Sequence, residues 1–297
     1  MTRKKKILLI ISTVLLVVTA ALSVALVIHL TKHGTDERPP VGITPVESRD
    51  LVVYFLDAGQ ADCTLLMCPE GCVLVDTGLY EDRFRTLAYL NSLGVKTIDW
   101  LVVTHAHSDH YGGADSVMEA YRVDNFLLGG GISTAYGYEK MLETAERKKI
   151  NTVEPFAGYR FTVGEMICEV LGPLRDYGDE NMNSTVLKIT YGQNVILLMA
   201  DTGFEAEAEL VARYGEKIRA DILKLGHHGS AYSTSSYFLK AVHPRYAVAS
   251  CGKNNDYGHP APSTRSRLLE LTVPLIITHE NSPAVIFECT GEEVIRR

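Results

Sequence analysis

The stretch T-H-A-H-S-D-H-Y-G-G, Thr104 to Gly113, decides the fold and the chemistry of this chain. His105, His107, Asp109 and His110 fall within six positions, at the end of an apolar run, Thr97 to Thr104, that reads as a buried strand. Neutral imidazoles and carboxylates are the donors that zinc, or a harder ion such as manganese, takes up. Alternation along an extended segment puts His105 and His107 on one side, and a turn bearing Asp109 and His110 presents a second pair. The cluster is expected to hold two divalent metal ions, zinc or manganese. With 10 histidines in 297 residues, H-x-H-x-D-H arises by chance on the order of once in a thousand such chains, which sets coincidence aside. Core histidines would not explain four polar side chains at one strand mouth.

Upstream of the motif, Leu51 to Asp57, Asp62 to Cys68 and Cys72 to Thr77 read as strands separated by glycine-containing turns. Arg83 to Leu93 reads as a helix closed by Gly94. Downstream, Phe161 to Leu171, Thr185 to Thr190 and Asn194 to Met199 read as strands. Helices at Glu205 to Tyr214, Ser235 to Val242 and Thr264 to Leu271 then alternate with strands Asp221 to Leu225, Tyr246 to Ser250 and Leu275 to Thr278, and Ala284 to Cys289 is the last strand. Sheets covered by helices follow, an α/β or α+β sandwich. Residues 50–297 show no internal repeat and form one domain.

The amino end has a different character. Arg3, Lys4, Lys5 and Lys6 precede 24 uncharged residues, Ile7 to Leu30. A helix of that length reaches about 36 Å, enough to cross a hydrocarbon layer of about 30 Å. Basic residues stay on the cytoplasmic side, which predicts a single-pass cell-membrane protein with its C-terminal domain extracellular. A cleaved signal peptide is the rival, with Thr19, Ala20, Ala21 and Ala25 supplying small residues near a cut; the run exceeds the usual h-region of about 7 to 15 residues, which favours an uncleaved anchor. The expected organisation is a basic tail at 1–6, a transmembrane anchor at 7–30, a proline-containing linker at 31–49 and the folded domain at 50–297.

The formal charge is −7, from 29 basic and 36 acidic residues. Everything after Lys6 carries about −11, which argues against a broadly basic surface that wraps nucleic acid. With 46% apolar residues, disordered and collagen-like classes are excluded. Six cysteines outside the cell could pair, and Cys68 and Cys72, flanking a turn, could face each other across two strands; small buried thiols are an equal reading. There is no C-x-x-C, so a thiolate zinc site is not indicated.

The H-x-H-x-D-H stretch after a strand resembles the metallo-β-lactamase superfamily, which implies an αββα sandwich. The resemblance matches that superfamily's other marks in order. Asp76 in D-T-G would organise the site through hydrogen bonds, Asp201 in L-L-M-A-D-T-G would bridge the two ions, and His227 in L-K-L-G-H-H-G-S would be the late histidine ligand. Within the superfamily, F-L-D-A-G-Q-A-D (Phe55 to Asp62), N-S-T-V-L-K (Asn183 to Lys188), D-I-L-K-L-G-H-H-G-S (Asp221 to Ser230) and N-D-Y-G-H-P (Asn255 to Pro260) are similar to the extracellular hydrolase domain of ComEC-type competence proteins. One departure matters. No histidine lies between His110 and His227, so the first ion would have His105, His107 and Asp201, with Asn183 and Ser184 in the region of the missing ligand. The second would have Asp109, His110, His227 and Asp201.

Two such ions hold a hydroxide between them near neutral pH and neutralise charge on a phosphoryl or acyl oxygen, so no Ser or Cys nucleophile is required. Asp109 would orient the hydroxide, and His228 or His259 would protonate a leaving oxygen or bind phosphate. An outward-facing His228 is an equal reading, because neighbours on a strand point oppositely. Asp57 and Asp62 read as buried turn caps in preference to groups that support the metal ligands. Lys224 reads equally as a phosphate contact or a strand-edge solvent lysine. Gly129 to Gly131 reads as a flexible loop, without the Lys-Ser or Lys-Thr of a P-loop. The expected function is a membrane-anchored metal-dependent phosphodiesterase or nuclease, with DNA ranked modestly above cell-wall or head-group phosphodiesters. Hydrolysis of another ester, lactone or lactam, or a non-catalytic metal-dependent binding module, are the alternatives. Nothing in the sequence points to a protein partner.

Overall fold

The computed structural model describes residues 42–297. The expected span at 7–30 lies outside these residues, and among them no helix is long and apolar enough to cross a membrane. Residues 42–49, the end of the expected linker, have no regular structure but do pack against the domain. Ile43 is buried, its N–H donates to Ser92 Oγ at 2.9 Å, and the Val46 N–H donates to the Tyr54 hydroxyl at 3.2 Å.

The chain opens with strands β1 (Leu51–Leu56), β2 (Thr64–Cys68) and β3 (Gly71–Val75), helix α1 (Arg83–Ser92) and strand β4 (Thr97–His105). Short helices α2 (Ser108–Tyr111) and α3 (Ala114–Ala120) lead to β5 (Arg122–Gly130), α4 (Tyr136–Arg147) and β6 (Asn151–Val153). Strands β7 (Arg160–Val163), β8 (Met166–Gly172), β9 (Val186–Tyr191) and β10 (Asn194–Leu198) follow. The last part alternates α5 (Phe204–Tyr214), β11 (Ile222–Lys224), α6 (Ser236–Val242), β12 (Tyr246–Ala249), α7 (Pro262–Glu270) and β13 (Leu275–Ile277), then ends with β14 (Ala284–Cys289) and β15 (Val294–Arg296).

Two sheets result, with strand orders β15-β14-β1-β2-β3-β4-β5-β6 and β13-β12-β11-β10-β9-β8-β7. Side-chain alternation assigns each face. In β1, Val53 and Phe55 join Phe161, Ile189, Ile196 and Val248 in the core between the sheets, while Tyr54 and Leu56 face Leu90, Val117 and Met141 of the helical layer. On the far side Leu197, Leu223 and Ala247 pack against Leu210, Leu239 and Leu268. The outcome is the four-layer αββα sandwich.

Differences from the sequence reading have local causes. Phe161 to Leu171 is a hairpin rather than one strand, because Gly164 turns it at φ 54°. Gly129 and Gly130 are not a flexible loop but the end of β5, pressed so closely that a Cβ would lie 2.1 Å from the Thr104 carbonyl oxygen and 2.0 Å from that of Asn183. All six cysteines are free and buried. Cys68 lies in the inter-sheet core and Cys72 in the helix-facing core, so the two sulfurs occupy opposite faces of the sheet.

Candidate metal centre

The predicted donors collect where β3, β4, β10 and β11 end, so strand termini from both sheets build one centre. Asp76 follows β3 in the left-handed region at φ 58°, a conformation costing a non-glycine residue about 1–3 kcal/mol. It is buried. Its Oδ1 accepts the Thr104 N–H at 2.8 Å, and its Oδ2 accepts the Thr104 hydroxyl at 2.9 Å and His110 Nδ1 at 2.8 Å. With Nδ1 committed to Asp76, His110 presents Nε2 to the centre, the orientation by hydrogen bond expected of Asp76.

His110 Nε2 is buried, has no hydrogen-bond partner and lies 3.3 Å from Asp201 Oδ1, which also lacks one. His105 Nε2 is buried and unpartnered in the same way. The His105 ring is 4.1 Å from that of His110 and 4.7 Å from that of His107. Ligands bound to one ion at about 2.0–2.2 Å are themselves about 3.0–3.5 Å apart. Buried lone pairs facing one another at this spacing fit a shared cation.

His227 and His228 overturn the strand alternation expected for them. β11 ends at Lys224, and both histidines lie in a tight turn, Gly226–Gly229, with left-handed φ of 46° and 54°. Both imidazoles therefore face Asp201 Oδ2, at 3.6 and 3.7 Å. His228 is buried rather than outward-facing. Its Nδ1 donates to the Ser250 carbonyl at 2.8 Å and sits 3.2 Å from Asp62 Oδ1, while Nε2 is 3.1 Å from Asp109 Oδ2. One donor atom each from Asp109, His110, Asp201 and His228 lie within 4.8 Å of one another. His227, the residue matched to the late ligand, stands at the mouth with its side chain 36% exposed.

The charges converge in one sense. Burial raises the Asp201 carboxyl, but His228 and His110 outweigh it and hold the group well below the usual range. Burial likewise opposes the charge on His228, yet Asp201 and Asp62 push it up to about 10. His110 is raised well above its ordinary value against burial by Asp201 and Asp76. His105 and His227, with burial dominant, are lowered. Asp109 is brought down to about 2: burial raises it, and the His228 hydrogen bond, then His110, prevail. So many carboxylates around one spot demand positive charge there.

The remaining predicted residues divide. Ser184 is buried and its Oγ accepts the Asp201 N–H at 3.3 Å, which seats the acid. Asn183 turns away from the donors: its Oδ1 accepts the Tyr177 N–H at 2.9 Å and its Nδ2 donates to Asp176 Oδ1 at 2.8 Å, so it holds its own loop together. His107 Nε2 lies 2.9 Å from Glu180 Oε2. His259, lowered to about 4 by burial and by His228 and His227, stacks between the rings of Tyr257 and His228 at 5.5 and 6.2 Å.

Two residues important to the site were misread from sequence. Lys224 is neither a strand-edge lysine nor a phosphate contact: it is fully buried, with Nζ 2.7 Å from Asp62 Oδ2 and donating to the Leu225 carbonyl at 3.0 Å. Asp62 is no turn cap but the link between Lys224 and His228. The available signal was a lysine in the apolar run Ile222 to Leu225, which requires a buried counter-charge.

Comparison with known proteins agrees with this fold. The sequence model of the Metallo-beta-lactamase superfamily matches residues 56–253. ComE operon protein 3 of Bacillus subtilis (strain 168) is 30% identical over 258 residues, 80% of this chain and 33% of that protein. Competence protein ComA of Neisseria gonorrhoeae is 33% identical over 235 residues, 78% of this chain and 32% of that one. The chain thus spans about a third of the length of these relatives. Among solved structures, the metallo-beta-lactamase fold protein YhfI from Bacillus subtilis aligns with a TM-score of 0.56 at 12% identity, over 81% of this chain and 100% of that one. CmlA, a diiron beta-hydroxylase from Streptomyces venezuelae, aligns with a TM-score of 0.57 at 16% identity, over 82% and 55%. At such identities the structures speak for the fold, while the sequence match over 56–253 settles the family: the chain belongs to the metallo-beta-lactamase superfamily.

Proposed function

We propose that this chain is a metal-dependent phosphodiesterase, anchored in the cell membrane by residues 7–30 with the described domain outside. The observation that carries the metal reading is the meeting of the unpartnered buried atoms His110 Nε2 and Asp201 Oδ1, with His105 Nε2 orphaned beside them. Asp109, His110, Asp201 and His228 would hold one cation, and His105, His107 and the shared Asp201 the other. When bound, divalent ions supply an activated water near neutral pH and positive charge opposite a phosphoryl oxygen.

The chain's own residues do the rest. Asp76 and Asp62 fix the His110 and His228 rings. His227, half-exposed beside Asp201 with its ring 5.7 Å from that of His259, is placed to hydrogen-bond a phosphoryl or leaving oxygen at the mouth, where the sequence reading set His228 or His259. His259, kept neutral by burial, can offer an N–H hydrogen bond there rather than a proton. Similarity to the competence proteins supports a nucleic-acid substrate. The acidic balance after Lys6 supports a second reading, a smaller cell-wall or head-group phosphodiester.

The 297-residue chain, loaded with manganese or zinc, would be assayed on bis-nitrophenyl phosphate, single-stranded DNA and a chromogenic lactam. Metal-dependent cleavage of either phosphodiester is expected. Turnover of the lactam alone, or metal binding with silence on every substrate, would overturn the proposal.

A further inference from the structure

The chain lacks a mid-chain histidine, so the first cation is left with His105, His107 and Asp201. The segment that would have carried that histidine, 176–184, is tightly held. Asp179 Oδ1 accepts the Met182 N–H at 2.9 Å, Asp176 Oδ1 accepts the Gly178 N–H at 2.8 Å, and the Asn183 side chain joins Asp176 to the Tyr177 N–H. These contacts leave Glu180 facing the H-x-H pair, with Oε2 2.9 Å from His107 Nε2. Gly131, at φ 89°, gives it room: a Cβ there would lie 3.3 Å from Glu180 Cγ and 3.4 Å from Ala106 Cβ.

The His107–Glu180 separation belongs with those of the other donors around the centre, His228 to Asp109 at 3.1 Å and His110 to Asp201 at 3.3 Å. It is the spacing of adjacent ligands on one ion. Among the described residues Glu180 has no lysine or arginine partner; its ion-pair contact is with His107. Beside this pair lies the second observation, the buried His105 with its Nε2 unpartnered. We propose that Glu180 is a ligand of the first cation, its carboxylate taking the position that a histidine would otherwise fill. This rests on the metallohydrolase reading above. Two imidazoles and two carboxylates form a harder donor set than three imidazoles, so the first site inclines toward manganese over zinc.

The test is metal stoichiometry on the full-length chain, equilibrated with manganese, desalted and counted by plasma mass spectrometry, with affinity followed through the paramagnetic signal of free manganese. The wild type is expected to retain two equivalents and Glu180→Gln one, the first site weakening about 100-fold. Glu180→His is expected to restore the second equivalent and to shift preference toward zinc. Because Glu180 is half-exposed, its side chain 42% accessible, the melting temperatures of metal-free wild type and variants should coincide. Glutamine keeps the hydrogen-bond acceptor but is a poor ligand. Two equivalents of unchanged affinity in Glu180→Gln would therefore overturn the ligand assignment and leave the metallohydrolase reading intact. A wild type holding one ion would also overturn it, and a wild type holding none would remove both.

Discussion

Replacing Lys224 by methionine removes one charge from a buried pair while nearly preserving side-chain volume, so the cavity contribution is small. Lys224 Nζ and Asp62 Oδ2 are 2.7 Å apart and both groups are buried. At an effective dielectric of about 20 their gross attraction is about 6 kcal/mol; breaking such a pair by removing one member costs about 3–5 kcal/mol, because the other charge stays buried. At about 2–4 °C per kcal/mol for a domain of this size, Lys224→Met should melt about 6–20 °C below wild type at pH 7. The sign with pH follows from Asp62. Burial raises its carboxyl, but Lys224 and then His228 hold it well below the usual range. Its contribution is therefore present above the unfolded value of about 4 and fades as pH falls through that value toward the folded one. In Lys224→Met only His228 and His110 still oppose burial at Asp62, so its carboxyl is held down less firmly, and the penalty is greatest near neutrality and shrinks as the pH falls through the carboxylate range. Melting curves of the metal-free protein at pH 7 and about pH 3 check both. A difference under 2 °C at pH 7, or one that grows on acidification, would refute the buried-pair account. The double variant Asp62→Leu, Lys224→Met should regain most of the stability, yet bind metal about 10-fold more weakly, since His228 loses a partner that fixes its ring.

Asp201→Ala removes the acid approached by His110, His227 and His228, and should lose both ions together with turnover; retention of either ion, counted by plasma mass spectrometry, would contradict its bridging role. His228→Asn should empty the four-donor site, whereas His227→Asn should keep the metal content and lower turnover about 10²-fold, a contrast read by metal analysis beside steady-state kinetics. Gly130→Ala places a methyl 2.0 Å from the Asn183 carbonyl oxygen, so denaturant titration should show a loss of about 1–3 kcal/mol; an unchanged midpoint would mean the loop yields freely.

Much of the fold was legible where a single periodicity governs. β9 and α5 alternate or repeat as one buried face requires, β1 is an unbroken apolar run bounded by polar residues, and their sequence limits differ from the structure by a residue or two. The block from α3 to β6 was not delineated. β5 is only partly buried, with Val123, Phe126 and Leu127 out of step with a period of two, and its glycine end imitates a loop. Helix α4 does carry the helical spacing, Tyr138, Met141 and Ala145, and could have been found from it.

The site was legible in donor identity and less so in donor direction. The four acids play two parts, separated by which atoms their partners occupy. Asp76 and Asp62 spend their oxygens outward, on Thr104 and Lys224, and hold His110 and His228 near Nδ1. Asp109 and Asp201 stand on the Nε2 side of those same rings. Outer acids thus orient and inner acids are placed to ligate, and sequence spacing cannot distinguish them because Asp62 and Lys224 are brought together from distant parts of the chain. The backbone adds what charge alone does not. Asp76, Ala200, His227 and His228 all occupy left-handed conformations, costs that a fold retains where they aim side chains. A chain that bends non-glycine residues at three strand ends toward one anionic point is organised around the charge that settles there, and the stability of that arrangement should rise with divalent cation.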